Sequence, residues 1–257
     1  MGNFIVRKAA VLGAGVMGAQ IAAHLANAEV PVVLFDLAVK EGDPNGGVTK
    51  ALDGLKKLEP SPLATKDRIA YIDVANYEQH LDQLKDCDLI IEAIAEKMAW
   101  KDDLYRKIAS FIAPNAIIAS NTSGLSINRL SEGLPEALRA RFCGIHFFNP
   151  PRYMHLVELI ATRASAPELL DKLESWLVSR LGKGVVRALD TPNFVANRIG
   201  VFSILAVMHH TQQFGLGFDV VDALTWPIVG RQKSATYRTA DVVGLDTMGH
   251  VIKTMQD

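Results

Sequence analysis

Cysteine is scarce in this 257-residue chain, which contains only Cys87 and Cys143, both in apolar, strand-like contexts. Two such residues exclude a disulfide-rich secreted scaffold, and we predict reduced core thiols in a cytoplasmic protein. An excess of either charge is also lacking, because 27 basic residues face 28 acidic ones. This balance argues against a nucleic-acid partner or a membrane surface. The longest apolar stretches, such as residues 201–208, are too short to span a bilayer. We also predict that the chain has no metal site.

Glycines, by contrast, are concentrated in one informative pattern near the start of the chain. Gly13, Gly15 and Gly18 form a G-x-G-x-x-G turn between a strand-like run at residues 8–12 and a helix-like run at residues 16–28. In a mononucleotide-binding unit, the first glycine permits a tight turn and the second lets the backbone approach a diphosphate. The third glycine lets the helix pack closely against the strand. We therefore predict a dinucleotide site at this turn.

The residues after the turn indicate which dinucleotide it binds. The N–H groups at the helix start, at Val16 and Met17, are expected to face the diphosphate, where the helix dipole adds to the attraction. A second strand-like run, at residues 31–35, is followed by Asp36. A carboxylate there accepts hydrogen bonds from ribose hydroxyls and repels a 2′-phosphate, which predicts NAD rather than NADP. The alternatives are a strand and helix that merely need glycines, and a signal peptide, whose apolar core the glycines would interrupt.

Apolar runs alternate with amphipathic runs over the first two thirds of the chain. This alternation predicts an α/β fold with a parallel, doubly wound Rossmann-type sheet. Beyond Arg187 the pattern is helical only, so we predict an NAD-binding domain at residues 1–187 and a small all-helical C-terminal domain at residues 188–257. Residues 39–73 are polar and suggest an insertion after the second strand, with basic residues that are mostly solvated. The predicted strands are 9–12, 32–35, 89–93, 116–120 and 142–147, and the main predicted helices are 100–112, 168–181, 194–214 and 218–224.

A histidine and a carboxylate lie in consecutive strand-like segments. His146 ends one strand, and Glu158 follows 12 residues later. An enzyme that removes hydride from an alcohol needs a base for the hydroxyl proton, and a carboxylate can orient an imidazole for that role. We predict that these two side chains face each other and that Ser123 and Asn149 hold substrate oxygens. The alternatives are a core histidine bonded to backbone and a carboxylate on the polar side of an edge strand.

Several motifs follow the glycine turn in a characteristic order: Ser-Asn-Thr-Ser at 120–123, His-Phe-Phe-Asn-Pro at 146–150, Leu-Val-Glu at 156–158, and Asn197-Arg198. With them, essentially the whole chain resembles the L-3-hydroxyacyl-CoA dehydrogenases of fatty-acid β-oxidation. The resemblance implies NAD-dependent oxidation of L-3-hydroxyacyl-CoA to 3-ketoacyl-CoA.

The same resemblance implies roles for individual residues. His146 would be the general base and Glu158 its partner. Substrate-binding positions correspond to Ser123, Asn149 and Asn197, and positions at the nicotinamide end of the cofactor correspond to Glu96 and Lys101.

The resemblance also predicts partners. The helical second domain of the family usually forms homodimers, and the segment after the second strand meets coenzyme A. Residues 229–239 look most like bacterial multifunctional versions, so we expect a homodimer that is fused to or associated with an enoyl-CoA hydratase. Two other functions stay open: a dehydrogenase of a small hydroxy acid or sugar acid, such as gulonate or hydroxyisobutyrate, and a non-catalytic crystallin-like or nucleotide-binding relative.

Overall fold

An eight-stranded sheet organises the first part of the chain in the computed structural model, which describes residues 4–226 and 228–254. The chain divides into two compact units, one ending at Asp190 and one beginning at Thr191. The outermost residues of both predicted domains, 1–3 and 255–257, lie outside the described residues. The strands are β1 (Ala9–Leu12), β2 (Val32–Asp36), β3 (Ile72–Asn76), β4 (Leu89–Glu92), β5 (Ile117–Ser120), β6 (Phe142–Phe147), β7 (Leu156–Ala161) and β8 (Gly184–Ala188).

The strand order confirms the predicted doubly wound α/β fold. It runs β3-β2-β1-β4-β5-β6-β7-β8, so that the chain leaves β1 in one direction for β2 and β3 and returns on the other side at β4. Ligands bind such sheets beyond the carboxyl ends of the strands at this reversal. β1 and β4 flank the reversal, and Gly13 directly follows β1.

Helices cover the sheet because their small and apolar faces pack on it. In α1 (Val16–Asn27), residues Gly18 to Ala26 are all buried. The prediction of a helix directly after the glycine turn is confirmed. The other helices of this unit are α2 (Gly46–Leu55), α3 (Met98–Ile108), α4 (Ile127–Glu132), α5 (Glu136–Arg139) and α6 (Leu169–Leu181).

Two strands and one strand direction differ from the prediction. β3 and β8 were not predicted because both are edge strands that carry exposed polar residues, Asp73 and Arg187, within short apolar runs. The sheet is also not wholly parallel, since β6 and β7 are antiparallel. Residues 148–155 connect them without a helix, and so short a connection cannot make the crossover that parallel strands need.

The polar segment at residues 39–73 is not an insertion but the crossover between the parallel strands β2 and β3. It contains α2 and a 3₁₀ helix at Lys66–Tyr71. Val48, Leu52 and Leu55 of α2 are buried. The segment therefore contributes to the first unit's core, which its glycines and prolines had obscured.

The second unit is helical within the described residues. Asp222 joins two of its helices, because its carboxylate accepts hydrogen bonds from the N–H groups of Thr236, Tyr237 and Arg238. Among the described residues, the apolar helices of this chain are all too short or too polar to cross a membrane. The helices of the unit are α7 (Ala196–Phe214), α8 (Phe218–Thr225), α9 (Tyr237–Val243) and α10 (Leu245–Thr254).

Candidate active site

The antiparallel pairing of β6 and β7 brings His146 and Glu158 together. Their Cα atoms are direct partners in the ladder, which puts both side chains on the same face of the sheet. The imidazole Nδ1 lies 2.8 Å from Oε2 of Glu158, and both side chains are at most 3% exposed. The predicted meeting of these residues is thus a feature of the structure, and its cause is the strand direction that the sequence did not indicate.

Glu158 determines the tautomer and the orientation of the His146 imidazole. An ionised carboxylate only accepts hydrogen bonds, so in the neutral form of the imidazole the proton is on Nδ1 and Nε2 has the lone pair. Nε2 lies 3.0 Å from the hydroxyl of Ser123, and the ring of Phe148 tilts against the imidazole at a centroid distance of 4.5 Å. An imidazole whose Nδ1 faces a carboxylate and whose Nε2 faces a hydroxyl has the arrangement of a general base.

Glu96 fixes the loop that carries Ser123. Its carboxylate accepts hydrogen bonds from the Ser123 N–H at 2.6 Å and from the Thr122 hydroxyl at 2.7 Å. It also lies 3.6 Å from Nζ of Lys101, while its own side chain is 46% exposed. Glu96 therefore combines a positioning role toward Ser123 with an oxygen surface open to a ligand.

Lys101 is more deeply buried than its predicted role would suggest. Its ammonium is 1% exposed and lies 2.5 Å from the carboxylate of Glu92, a buried residue at the end of β4. Glu92 also accepts hydrogen bonds from the hydroxyls of Tyr105 and Ser120. Sequence reasoning missed this carboxylate, although a glutamate that ends an apolar strand beside the ligand edge of a sheet is the signal that would have found it.

The glycine turn has the shape that a dinucleotide requires. Gly13 adopts a φ of +104°, and a Cβ on it would lie 2.7 Å from the carbonyl oxygen of Ala93. A Cβ on Gly18 would lie 1.8 Å from the carbonyl oxygen of Gly13, whereas one on Gly15 would meet nothing within 4 Å. Gly13 and Gly18 are thus required by the fold, and Gly15 faces open space at the start of α1. The backbone itself has no need of a glycine at position 15, and the space beside it is open to a ligand.

Asp36 lies at the end of β2, beside this turn. Its carboxylate accepts hydrogen bonds from the N–H groups of Ala14 at 2.8 Å and Leu37 at 2.7 Å. A carboxylate has about four acceptor positions, so it retains capacity for further donors such as ribose hydroxyls. Asp36 lines a cavity of about 460 Å³ together with Gly13 and Gly15.

The remaining predicted residues lie at several places. Val16 is exposed in the first turn of α1 and is followed there by Met17. The amide oxygen of Asn149 accepts a hydrogen bond from Gln20 of α1 at 3.1 Å, a partner that the sequence did not suggest. Asn197 lies in the first turn of α7, in the second unit.

Basic residues of the β2–β3 crossover are partly engaged with acidic neighbours. Lys56 pairs with Asp53 and Arg68 pairs with Glu29, each at 2.8 Å.

Both cysteines, Cys87 and Cys143, are free and buried. Burial raises their pKa to about 12, so neither thiol is a nucleophile at neutral pH.

Comparisons with known proteins agree on one family. A family model described as "3-hydroxyacyl-CoA dehydrogenase, NAD binding domain" matches residues 8–191. A protein of Deinococcus radiodurans named "Probable 3-hydroxyacyl-CoA dehydrogenase" is 46% identical over 96% of this chain and 71% of its own length. A Rickettsia prowazekii protein named "Putative fatty acid oxidation complex trifunctional enzyme" is 41% identical over 95% of this chain, which spans only 34% of that relative.

Solved structures of proteins named as dehydrogenases of 3-hydroxyacyl-CoA compounds are also similar to this chain. The crystal structure of (S)-3-hydroxybutyryl-CoA dehydrogenase from Ralstonia eutropha has 30% sequence identity and a TM-score of 0.81. The match covers 98% of this chain and 87% of that one. The family model covers most of the chain and coincides with the unit that holds the glycine turn, Asp36 and the His146–Glu158 pair. The chain therefore belongs to the 3-hydroxyacyl-CoA dehydrogenase family, and residues 8–191 form its NAD-binding domain.

Proposed function

We propose that this chain oxidises L-3-hydroxyacyl-CoA to 3-ketoacyl-CoA with NAD, as a step of fatty-acid β-oxidation. The observation that carries the proposal is the line of hydrogen bonds from the buried Glu158 through the buried His146 to the half-buried Ser123. It supplies one proton acceptor, held in a single orientation, next to a hydroxyl that can share a hydrogen bond with a substrate alcohol. Family membership supplies the matching cofactor.

The proton and the hydride leave the alcohol in different directions. His146 accepts the hydroxyl proton on Nε2, and the carboxylate of Glu158 stabilises the imidazolium that results. Ser123 holds the substrate oxygen beside Nε2 as a carbonyl forms. Bound NAD supplies the acceptor for the hydride that leaves C3. The 3% exposure of His146 keeps bulk water from competing for its lone pair.

The remaining proposed contacts concern binding. Asn149 and Asn197 would bind the substrate, whereas Glu96 and Lys101 would line the nicotinamide end of the cofactor. Glu96 is suited to this because it has exposed carboxylate oxygens, while Lys101 would act mainly by holding Glu96 and Glu92 in position. For the substrate, the structural relative named as a 3-hydroxybutyryl-CoA dehydrogenase favours short acyl chains as the first to test.

We further propose a homodimer in the cytoplasm that works with an enoyl-CoA hydratase. The trifunctional name of the Rickettsia relative, of which this chain spans about one third, supports association with a second enzyme activity. The homodimer and the hydratase are proposed from the family resemblance. Size-exclusion chromatography with light scattering tests the homodimer directly, and a mass of about one chain would contradict it.

The function is tested with acetoacetyl-CoA and NADH, by following NADH absorbance at 340 nm. A general base contributes about 10²- to 10⁴-fold in rate, so His146→Gln should lose that factor while NADH affinity stays within two-fold. His155→Gln is the matched control, since the side chain of His155 is exposed, unlike that of His146. Turnover by His146→Gln within a few-fold of the unaltered chain would refute the role of His146.

A second comparison separates the proposal from the small-acid alternative. The unaltered chain should reduce acetoacetyl-CoA far faster than acetoacetate, and free coenzyme A should inhibit it competitively. Equal rates on both substrates, with no inhibition, would favour a dehydrogenase of a small hydroxy acid. No turnover with either substrate, despite tight NADH binding, would favour a nucleotide-binding protein without catalysis.

A further inference from the structure

Tyr77 is buried directly after β3, yet its hydroxyl is not used by the fold. The residue is 4% exposed, and its ring stacks on Phe35 of β2 at a centroid distance of 5.9 Å and an interplanar angle of 14°. Within the described part of the chain, the buried hydroxyl oxygen has no hydrogen-bond partner. Buried polar groups in folded proteins are nearly always paired, so an unpaired phenol calls for an explanation.

Packing alone does not explain this tyrosine. A phenylalanine would make the same stack on Phe35 and would carry no hydroxyl away from water. The Gly13 N–H lies close enough to the phenol to lower its pKa slightly, but it donates its hydrogen bond to the Phe35 carbonyl oxygen at 2.8 Å. The carboxylate of Asp36 accepts two backbone N–H groups and forms no hydrogen bond with the phenol. The hydroxyl therefore has polar neighbours but no hydrogen-bond partner among them.

The hydroxyl is, however, close to the proposed cofactor position. Tyr77 lines the same cavity of about 460 Å³ as Gly13, Gly15 and Asp36. Asp36 occupies the position that meets the adenosine ribose in this fold, and Gly15 the position that a diphosphate approaches. The side chain of Tyr77 therefore belongs to the adenosine half of the site rather than to the half that holds His146.

The phenol is a hydrogen-bond donor under ordinary conditions. Burial raises the pKa of Tyr77 well above its usual range, and the nearby carboxylates of Asp36 and Glu92 raise it further. A protonated phenol next to carboxylates needs an acceptor oxygen of its own. The adenosine half of a dinucleotide carries such oxygens on its ribose and on its phosphate.

We propose that Tyr77 is a further cofactor-binding residue, whose hydroxyl donates a hydrogen bond to an oxygen in the adenosine half of NAD. This inference rests on the proposed function, because it requires the dinucleotide to bind at the glycine turn. It assigns to one buried phenol two roles, packing against Phe35 and recognition of the cofactor. The second role accounts for the hydroxyl.

The test is Tyr77→Phe, with the dissociation constant of NADH measured by fluorescence titration on the full chain. The loss of one hydrogen bond between the protein and the cofactor should raise the dissociation constant of NADH about 3- to 10-fold. The melting temperature of the cofactor-free protein should stay equal or rise, because no unpaired hydroxyl remains. Tyr71→Phe is the matched control, since Tyr71 lies in the Lys66–Tyr71 helix and does not line this cavity.

Competition by ADP-ribose locates the contact. ADP-ribose contains the adenosine half without nicotinamide, so Tyr77→Phe should weaken its binding by the same factor as NADH. Unchanged NADH affinity in a stable Tyr77→Phe protein would overturn the inference, and so would a loss for NADH with none for ADP-ribose. Absence of NADH binding by the unaltered chain would instead overturn the proposed function, and this inference with it.

Discussion

Two alanine substitutions in the glycine turn should damage the protein in opposite ways. Gly15→Ala should leave the fold intact and weaken the binding of NADH, whereas Gly18→Ala should destabilise the fold itself. The difference comes from what each new methyl group would meet. At position 15 nothing lies within 4 Å, but at position 18 the carbonyl oxygen of Gly13 lies 1.8 Å away.

The size of each effect follows from these distances. Ordinary contact begins at 3.4 Å, so Gly18→Ala requires a movement of about 1.6 Å (3.4 minus 1.8) from the Gly13 carbonyl. Gly13 cannot easily yield, because there is too little space beside it even for a Cβ, which would lie 2.7 Å from the Ala93 carbonyl oxygen. Overpacking of this kind costs about 3 kcal/mol. For a chain of this length that corresponds to a fall of roughly 6–12 °C in melting temperature.

Gly15→Ala has no such cost in the cofactor-free protein. Gly15 has a φ of −67° and a ψ of −173°, which alanine adopts without strain. Its free energy of unfolding should change by less than about 1 kcal/mol, since the lower preference for alanine at a helix N-cap is offset by the smaller conformational entropy of the unfolded chain. The methyl group would instead occupy the space through which the diphosphate approaches, and NADH affinity should fall at least about ten-fold, or 1.4 kcal/mol.

Thermal unfolding followed by circular dichroism, with NADH titration of each folded variant, separates the two effects. The unaltered chain is the reference for both measurements. If Gly15→Ala bound NADH as tightly as the unaltered chain, the glycine turn would not be the diphosphate site. If Gly18→Ala melted at an unchanged temperature, the close approach of α1 to β1 would be wrong.

Two further substitutions test the acid–base groups. Glu158→Gln removes the negative charge beside His146. Two opposite charges about 4 Å apart in a medium of effective dielectric constant about 20 attract each other by about 4 kcal/mol. The loss of this attraction for the imidazolium should lower kcat about 10²- to 10³-fold and leave NADH affinity unchanged. Glu174→Gln on the exposed face of α6 serves as its control, and a kcat for Glu158→Gln within five-fold of the unaltered chain would contradict the partnership. His24 is buried with both ring nitrogens unpaired, and burial, with lesser effects of Lys183 and Arg152, lowers its pKa from 6.5 to about 3. Between pH 6.5 and pH 3, the unfolded chain therefore binds more protons at this histidine than the folded chain, and the folded state loses stability as the pH drops below 6.5. The free energy of unfolding measured in urea should fall by about 2 kcal/mol from pH 7.5 to pH 5, and this fall should be absent in His24→Leu. An identical pH dependence in both proteins would contradict the buried neutral state of His24.

Local requirements made part of this protein predictable. Gly18 is required by its close approach to the Gly13 carbonyl, five residues earlier, and Gly13 by the positive φ of the tight turn between one strand and one helix. Both requirements act between near neighbours in the chain. Strands β1, β4 and β5 are wholly buried, so each is a continuous apolar run that can be found without neighbours. Edge strands β3 and β8 carry exposed polar residues, and for that reason their sequences did not distinguish them from loops.

The sequence by itself therefore determined the fold class, the dinucleotide turn and the types of side chain that could move a proton. Only the tertiary structure decided which of them meet. The antiparallel direction of β7 pairs His146 with Glu158, the β4–β5 neighbourhood gives the buried Glu92 the hydroxyl of Ser120, and the β2–β3 crossover brings Tyr77 to the cavity of Asp36. The reason is physical: backbone conformation and apolar periodicity act between near neighbours in the chain, whereas hydrogen bonds between side chains 12 to 28 residues apart exist only once strand order and register have been set.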